Sequence, residues 1–188
     1  MKFFIPIIIF SFLFSAQVTG IELITNGDFE EQLTTGWEQA TSGADIIINR
    51  AINYDPDPDY EAYAYKGTGS GYARLLQLMN VIPSTDIDFT CNAKLYAWDN
   101  YIDAWAGAAV VISYLNENSL LLGETYICFR SDGCPWTNTP TCHVIAAVDS
   151  FWHNYAFNID DELTNLSGVN PQDIKKIKVS LYSEGHWC

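Results

Sequence analysis

Between residues 88 and 105 the chain reads DFTCNAKLYAWDNYIDAW, and these residue types suit binding better than reaction. As a strand of period two, it puts Phe89, Cys91, Ala93, Leu95 and Ala97 on one face. Thr90, Asn92, Lys94, Tyr96 and Trp98 fall on the other. The first set suits a core. The second is polar yet carries two aromatic rings side by side. Cross-strand packing under a covering loop is one account of those rings. The other is a platform for a saccharide. A sugar ring exposes C–H patches that stack on an aromatic face, while Asp, Asn, Lys and Tyr groups bond its hydroxyls. Lys94, Tyr96 and Trp98 are therefore candidate ligand-binding residues, with Tyr101 and Trp105 from the adjoining loop and its neighbours Asp99, Asn100 and Asp103. Lys176, Lys178, Ser180 and Tyr182 alternate in the same way against Ile177, Val179 and Leu181. Tyr182 extends the surface if its strand lies in the same sheet. Trp136, on a cysteine-rich loop, is a candidate for the rim.

Other chemistries find less support. A glycosidase needs two carboxylates facing each other across the bond, but 23 acidic residues make the presence of a pair uninformative. The sequence has no Gly-x-Ser-x-Gly elbow, no His-Glu-x-x-His and no glycine-rich phosphate loop. His143, His153 and His186 are scattered, and His153 falls in phase with Phe151 and Tyr155 as a core or edge histidine. DPDPDYE offers Asp55, Asp57, Asp59 and Glu61 to a calcium ion. Counted from Asp55, however, the EF-hand glycine and glutamate positions hold Tyr60 and Lys66. Two prolines stiffen the run, which reads as a solvated acidic loop. The formal net charge of −14 argues against nucleic acid and anionic membranes, both of which call for Lys and Arg.

Lys2, the apolar run FFIPIIIFSFLF and the small-residue end SAQVTG read as a secretory signal peptide over residues 1–20. The run is too short for a membrane span. Residues 21–188 then make one domain, located outside the cell. Export makes disulfides the default state of Cys91, Cys128, Cys134, Cys142 and Cys188. At least one bridge is expected within Cys128, Cys134 and Cys142, with the pairing open. A zinc site from Cys142, His143, His186 and Cys188 lacks a tight Cys-x-x-Cys pair. Asn165-Leu166-Ser167 is a glycosylation sequon.

Short runs rich in Val, Ile, Tyr, Phe and Thr recur between Gly, Pro, Asn and Asp. They predict strands at 44–49, 60–66, 71–78, 88–98, 107–115, 120–129, 143–148, 151–159 and 174–182, with one turn of helix near 160–166. Many strands without alternating helices make an all-β, two-sheet antiparallel sandwich. Its predicted core is Phe29, Trp37, Leu75, Leu95, Val110, Ile112, Phe157, Ile177, Val179 and Leu181.

The stretch ITNGDFEEQLTTGW resembles the N-terminal signature of jelly-roll carbohydrate-binding modules of families four, nine and twenty-two, within the galactose-binding-like β-sandwiches. Asn26, Gly27, Phe29, Glu30, Gly36 and Trp37 carry the match. Asn-Gly supplies a tight turn, Phe29 enters the core and Trp37 plugs one end. GYARL, AAVVISYLNENSLLLG and SFWHNYAFNI follow in the family's order. The resemblance implies a non-catalytic module that binds a polysaccharide or oligosaccharide. It also implies a structural Ca²⁺ held by Glu30, with Asp28 assisting. Family members close on a strand of the form Asp-Asp/Asn-Val-x-Leu, whereas this chain stops at SEGHWC. The expectation is a truncated domain that lacks its closing strand and the calcium-binding Asp on it. The alternatives are a structural or adhesive sandwich without sugar binding, and an accessory domain of a larger secreted glycoside hydrolase. A small hydrolase ranks last.

Overall fold

A computed structural model describes residues 21–52, 58–82, 86–99 and 104–186. Among the described residues ten strands form: β1 (Glu38–Ser42), β2 (Ile46–Ala51), β3 (Glu61–Lys66), β4 (Gly71–Asn80), β5 (Asp88–Lys94), β6 (Trp105–Leu115), β7 (Leu121–Arg130), β8 (Cys142–Ala146), β9 (Trp152–Asn158) and β10 (Lys176–His186). One short helix, α1 (Ile159–Leu163), follows β9. The expected strands form, and the expected turn of helix is α1. Asn158 caps it by accepting the Asp160 and Asp161 N–H groups.

Six strands make one sheet in the order β1-β4-β10-β6-β7-β8, antiparallel except for the parallel β7–β8 pair. β2–β3 and β5–β9 are separate antiparallel pairs. Both pack on the same face of the large sheet. Phe89, Ala93 and Leu95 meet Val110, Ile112, Ile127 and Val179 in the main core. Ile48 and Ala62 close on Leu75 and Leu181 at one end, with Leu33 and Trp37. The chain is thus an all-β sandwich. Trp37, Leu75, Leu95, Val110, Ile112, Ile177 and Val179 are buried. Phe29, Phe157 and Leu181 are half-buried against them. The long β6–β7 hairpin turns at Asn116, whose side chain accepts the Asn118 and Leu120 N–H groups.

The opening motif is a looped staple. Asn26 has φ +52. Its side chain accepts the Glu31 N–H at 2.9 Å and donates to the Glu31 and Gln32 carbonyls. Trp37 Nε1 donates to the Asn26 carbonyl at 3.0 Å, and the Trp37 ring lies 5.2 Å from Phe29. Gly36, at φ +81, permits the reversal. Buried Gln77 then binds both the N–H and C=O of Thr25, fastening this loop to β4.

Lys66 is buried at the end of β3, and its ammonium donates to three consecutive carbonyls, Gly67, Thr68 and Gly69, at 2.8–3.0 Å. Asp45 closes the same corner by accepting the Thr68 N–H.

Four thiols stand free: Cys91, Cys128, Cys134 and Cys142. The bridge expected within the last three does not form. Cys142 is level with Glu124 and Cys128 with Ala146, so four residues of parallel ladder, about 13 Å, separate Cys142 from Cys128. Cys134 packs beside Cys128 in a small apolar cluster with Trp136. Cys188, the leader at 1–20, and Asp55 and Asp57 of the acidic run lie outside the described residues. No helix among the described residues is long and apolar enough to cross a membrane.

Candidate ligand-binding surfaces

Alternation decides which side chains of the large sheet turn away from the core. On β10, Ile177, Val179 and Leu181 pack inward, and Lys178, Ser180, Tyr182 and Glu184 face out. The register sets Arg74 of β4 and Ala109 of β6 beside Tyr182. Ser180 is flanked by Val111, and Val111 by Tyr126 of β7. Lys178, Ser113 and Glu124 form the next row.

Over the small residues Gly107 and Ala109 lies Trp136, which comes from the loop after β7. A side chain at Gly107 would collide with its ring. Trp136 stacks on Tyr182 at 5.7 Å, leans on Tyr126 at 5.0 Å and meets Trp105 edge-on at 6.0 Å. Tyr72 continues the band, 6.0 Å from Tyr182. The Arg74 guanidinium sits 4.2 Å over the Tyr182 ring. Polar groups are fixed around the rings. Tyr182 donates to Glu184 at 2.6 Å. Tyr126 and Ser113 both donate to Glu124, at 2.9 and 2.7 Å. Burial, then the Glu124 charge, raises the Tyr126 phenol well above its ordinary value. Burial, then the bond to Glu184, does the same for Tyr182. Burial, then the Arg74 charge, lowers Lys178. The buried Ser180 Oγ and Arg74 Nε have no protein partner.

The second aromatic surface lies on the opposite layer. The alternation from Phe89 onward persists past the end of β5, so Leu95 is 3% exposed while Tyr96 and Trp98 are 62% and 57% exposed. Lys94 ends the strand, exposed and paired with Trp152 of β9. Tyr96 touches Phe129 at 5.9 Å. The predicted ligand residues therefore divide. Trp105, Trp136 and Tyr182 are brought together on the six-stranded sheet. Lys94, Tyr96 and Trp98 stand apart on the other layer. Tyr182 does not extend the Tyr96–Trp98 surface, because β10 belongs to the large sheet. Trp136 is no rim either, since at 8% exposure it is the lid of its own cluster. Tyr101, Asn100 and Asp103 lie outside the described residues. Sequence reading passed over Tyr72, Arg74, Glu124, Tyr126 and Glu184. Their signal was alternation on β4, β7 and β10, which shows a face but not which strands are neighbours.

Cys142 and His143, adjacent on β8, point to opposite faces, which separates two members of the zinc set disfavoured above. His143 Nδ1 instead meets Glu162 Oε1 at 2.6 Å. Thr125 donates to the same oxygen at 2.8 Å and is in turn hydrogen-bonded to Tyr114. Asn165 Nδ2 donates to Glu162 Oε2 at 3.2 Å. This buried network ties α1 to β7 and β8. His153 is a half-exposed edge residue, 2.7 Å from Asp149.

At the opening loop, the carboxylates of Asp28 and Glu30 are exposed. Asp28 accepts the Glu30 N–H and Glu30 accepts the Tyr60 N–H, each at 3.4 Å. The Phe29 and Glu30 carbonyls accept from Arg50 Nη1 at 2.6 and 3.0 Å. Among the described residues, no three Asp, Glu, His or Cys side chains converge on a point. A hard dication wants six to eight oxygens, and here a guanidinium already holds the two carbonyls. Among the described residues, Asp28, Glu30 and their neighbours do not make a calcium site.

No family model matches the chain, and no curated protein sequence matches it. Solved structures do. The chain is similar to the enzymatically active domain of bacteriophage CBA120 tailspike protein 4 at 12% identity and TM-score 0.46, over 87% of this chain and 20% of that one. It thus spans a fifth of the tailspike chain. It is also similar to the family 11 carbohydrate-binding module of the cellulase Lic26A-Cel5E of Clostridium thermocellum. That match has 13% identity and TM-score 0.43, over 90% and 93% of the two chains. A family 11 module from Clostridium thermocellum in complex with a β-1,3-1,4-mixed-linked tetrasaccharide matches at 12% and TM-score 0.38, over 85% and 89%. These likenesses concern the β-sandwich alone, and they do not place the chain in families four, nine or twenty-two.

Proposed function

We propose that the chain is a secreted, non-catalytic domain that binds a polysaccharide or oligosaccharide on the outer face of its six-stranded sheet. The observation that carries this reading is the group of half-buried rings Trp105, Tyr126, Tyr182 and Tyr72 set around buried Trp136, flanked by Arg74, Glu124, Glu184 and Lys178. Flat apolar faces beside oriented donors and acceptors are what a saccharide needs. Glu124 and Glu184, the two carboxylates beside these rings, stand too far apart to act as a hydrolytic pair. Glu124 is level with Lys178, and Glu184 lies six residues further along β10, about 20 Å away. Glycosidase carboxylates stand roughly 5–10 Å apart. Export rests on the apolar leader and on the acidic, cysteine-bearing composition.

The exposure of Tyr96 and Trp98 favours a second reading, in which the sugar stacks on the opposite layer. One experiment separates them. A glycan array identifies a ligand, and calorimetric titration compares wild type with Tyr182→Ala and Trp98→Ala. Loss of roughly 1–3 kcal/mol on Tyr182→Ala alone supports the sheet face. The same loss on Trp98→Ala alone supports the exposed platform. A folded chain that retains no glycan, or folded variants that both bind as wild type, refutes these assignments.

A further inference from the structure

The contacts of Arg50 bear on how the opening loop is held, independently of any sugar. Phe29 has φ +56, a backbone conformation that an aromatic residue adopts only when its surroundings impose it. Besides its packing on Trp37, it is met at its carbonyl by a cation. Arg50 Nη1 lies 2.6 Å from the Phe29 carbonyl and 3.0 Å from that of Glu30. The same guanidinium stacks 3.8 Å over the Tyr60 ring. Glu30 reaches back to the Tyr60 N–H, so charge, ring and loop close on one another.

We propose that Arg50 is the resident cation of this loop, standing where the N-terminal resemblance implies calcium, and that the domain's stability does not depend on that ion. A dication brought to the same carbonyls would meet the like charge of the guanidinium. The chain supplies this counter-charge from its own second strand. Binding of calcium by Glu30 and Asp28 then requires that Arg50 first be displaced.

The test uses the full secreted chain. Its melting temperature is measured in EDTA and in millimolar calcium, and calcium is titrated calorimetrically. Wild type is expected to melt alike in both and to show no binding heat. Arg50→Gln, which keeps bulk and loses charge, is expected to melt at least about 2–4 °C lower. A calcium-dependent rise in the wild-type melt overturns the proposal, as does an Arg50→Gln chain that melts with wild type. Should Arg50→Gln not fold, Arg50→Lys, which retains charge but loses the planar stack on Tyr60, takes its place with the same criterion.

Discussion

Three hydrogen bonds converge on the buried carboxylate of Glu162. One of its oxygens serves His143 and Thr125, and the other serves Asn165. Replacing it with Ala leaves buried Thr125 and, behind it, Tyr114 without a full set of partners. We expect a loss of about 2–4 kcal/mol, read by urea unfolding, and a smaller loss for Glu162→Gln. None of this was legible in the sequence. The three partners come from β7, β8 and the turn after α1, and single-strand alternation says nothing about which side chains meet across elements. The burial contrast at Leu95, Tyr96 and Trp98 was legible, because it is a property of one strand and one period. Trp98→Ala is accordingly expected to leave stability nearly unchanged, in a melt compared with wild type, since a ring more than half exposed supports little core.

Element by element, the hydrophobic runs located nine of the ten strands. β1 escaped because EQATS has no apolar alternation. It exists through its pairing with β4 at the sheet edge. β10 runs four residues past its predicted end, since Ser183–His186 are paired on one or both sides by β4 and β6 despite a weak local propensity. The loop after β7 was read as a disulfide-closed loop. Its anchor is Trp136, inserted over Gly107, and no bridge among the described residues is needed. Gly107→Ala therefore tests the element as a unit. We expect Trp136 to be expelled, with a red-shifted tryptophan emission and about 1–3 kcal/mol lost. Saccharide affinity should fall with it if the sheet face is the site.

At the scale of the whole molecule, buried thiols and phenols give stability a pH dependence with a defined sign. Burial lifts Cys91 from 9.0 to about 12 and Cys128 to about 11. Tyr126 and Tyr182 are raised as well. The native chain keeps protons that the unfolded chain releases, so the unfolded state binds fewer protons in this range. The contribution of these groups to stability is thus full below about pH 9 and falls as pH rises toward about 12. Urea unfolding in reducing buffer at stepped pH should show that decline, and Cys91→Ala should flatten it. The fold class was legible because strand periodicity repeats along the whole chain. The division of the aromatic residues between two layers was not, because it depends on strand order, and order is set by pairings far apart in sequence.

The place of β10 in that order has a consequence for how the molecule comes into being. It lies between β4 and β6, and its partner on one side was synthesised about a hundred residues earlier. Until β10 arrives, β4 and β6 each present an open edge to solvent and to other chains. We therefore expect the large sheet to close in one late, cooperative event. We expect single-phase refolding on the millisecond-to-second scale, followed by stopped-flow tryptophan fluorescence, and no cooperative melt in a fragment ending before residue 176.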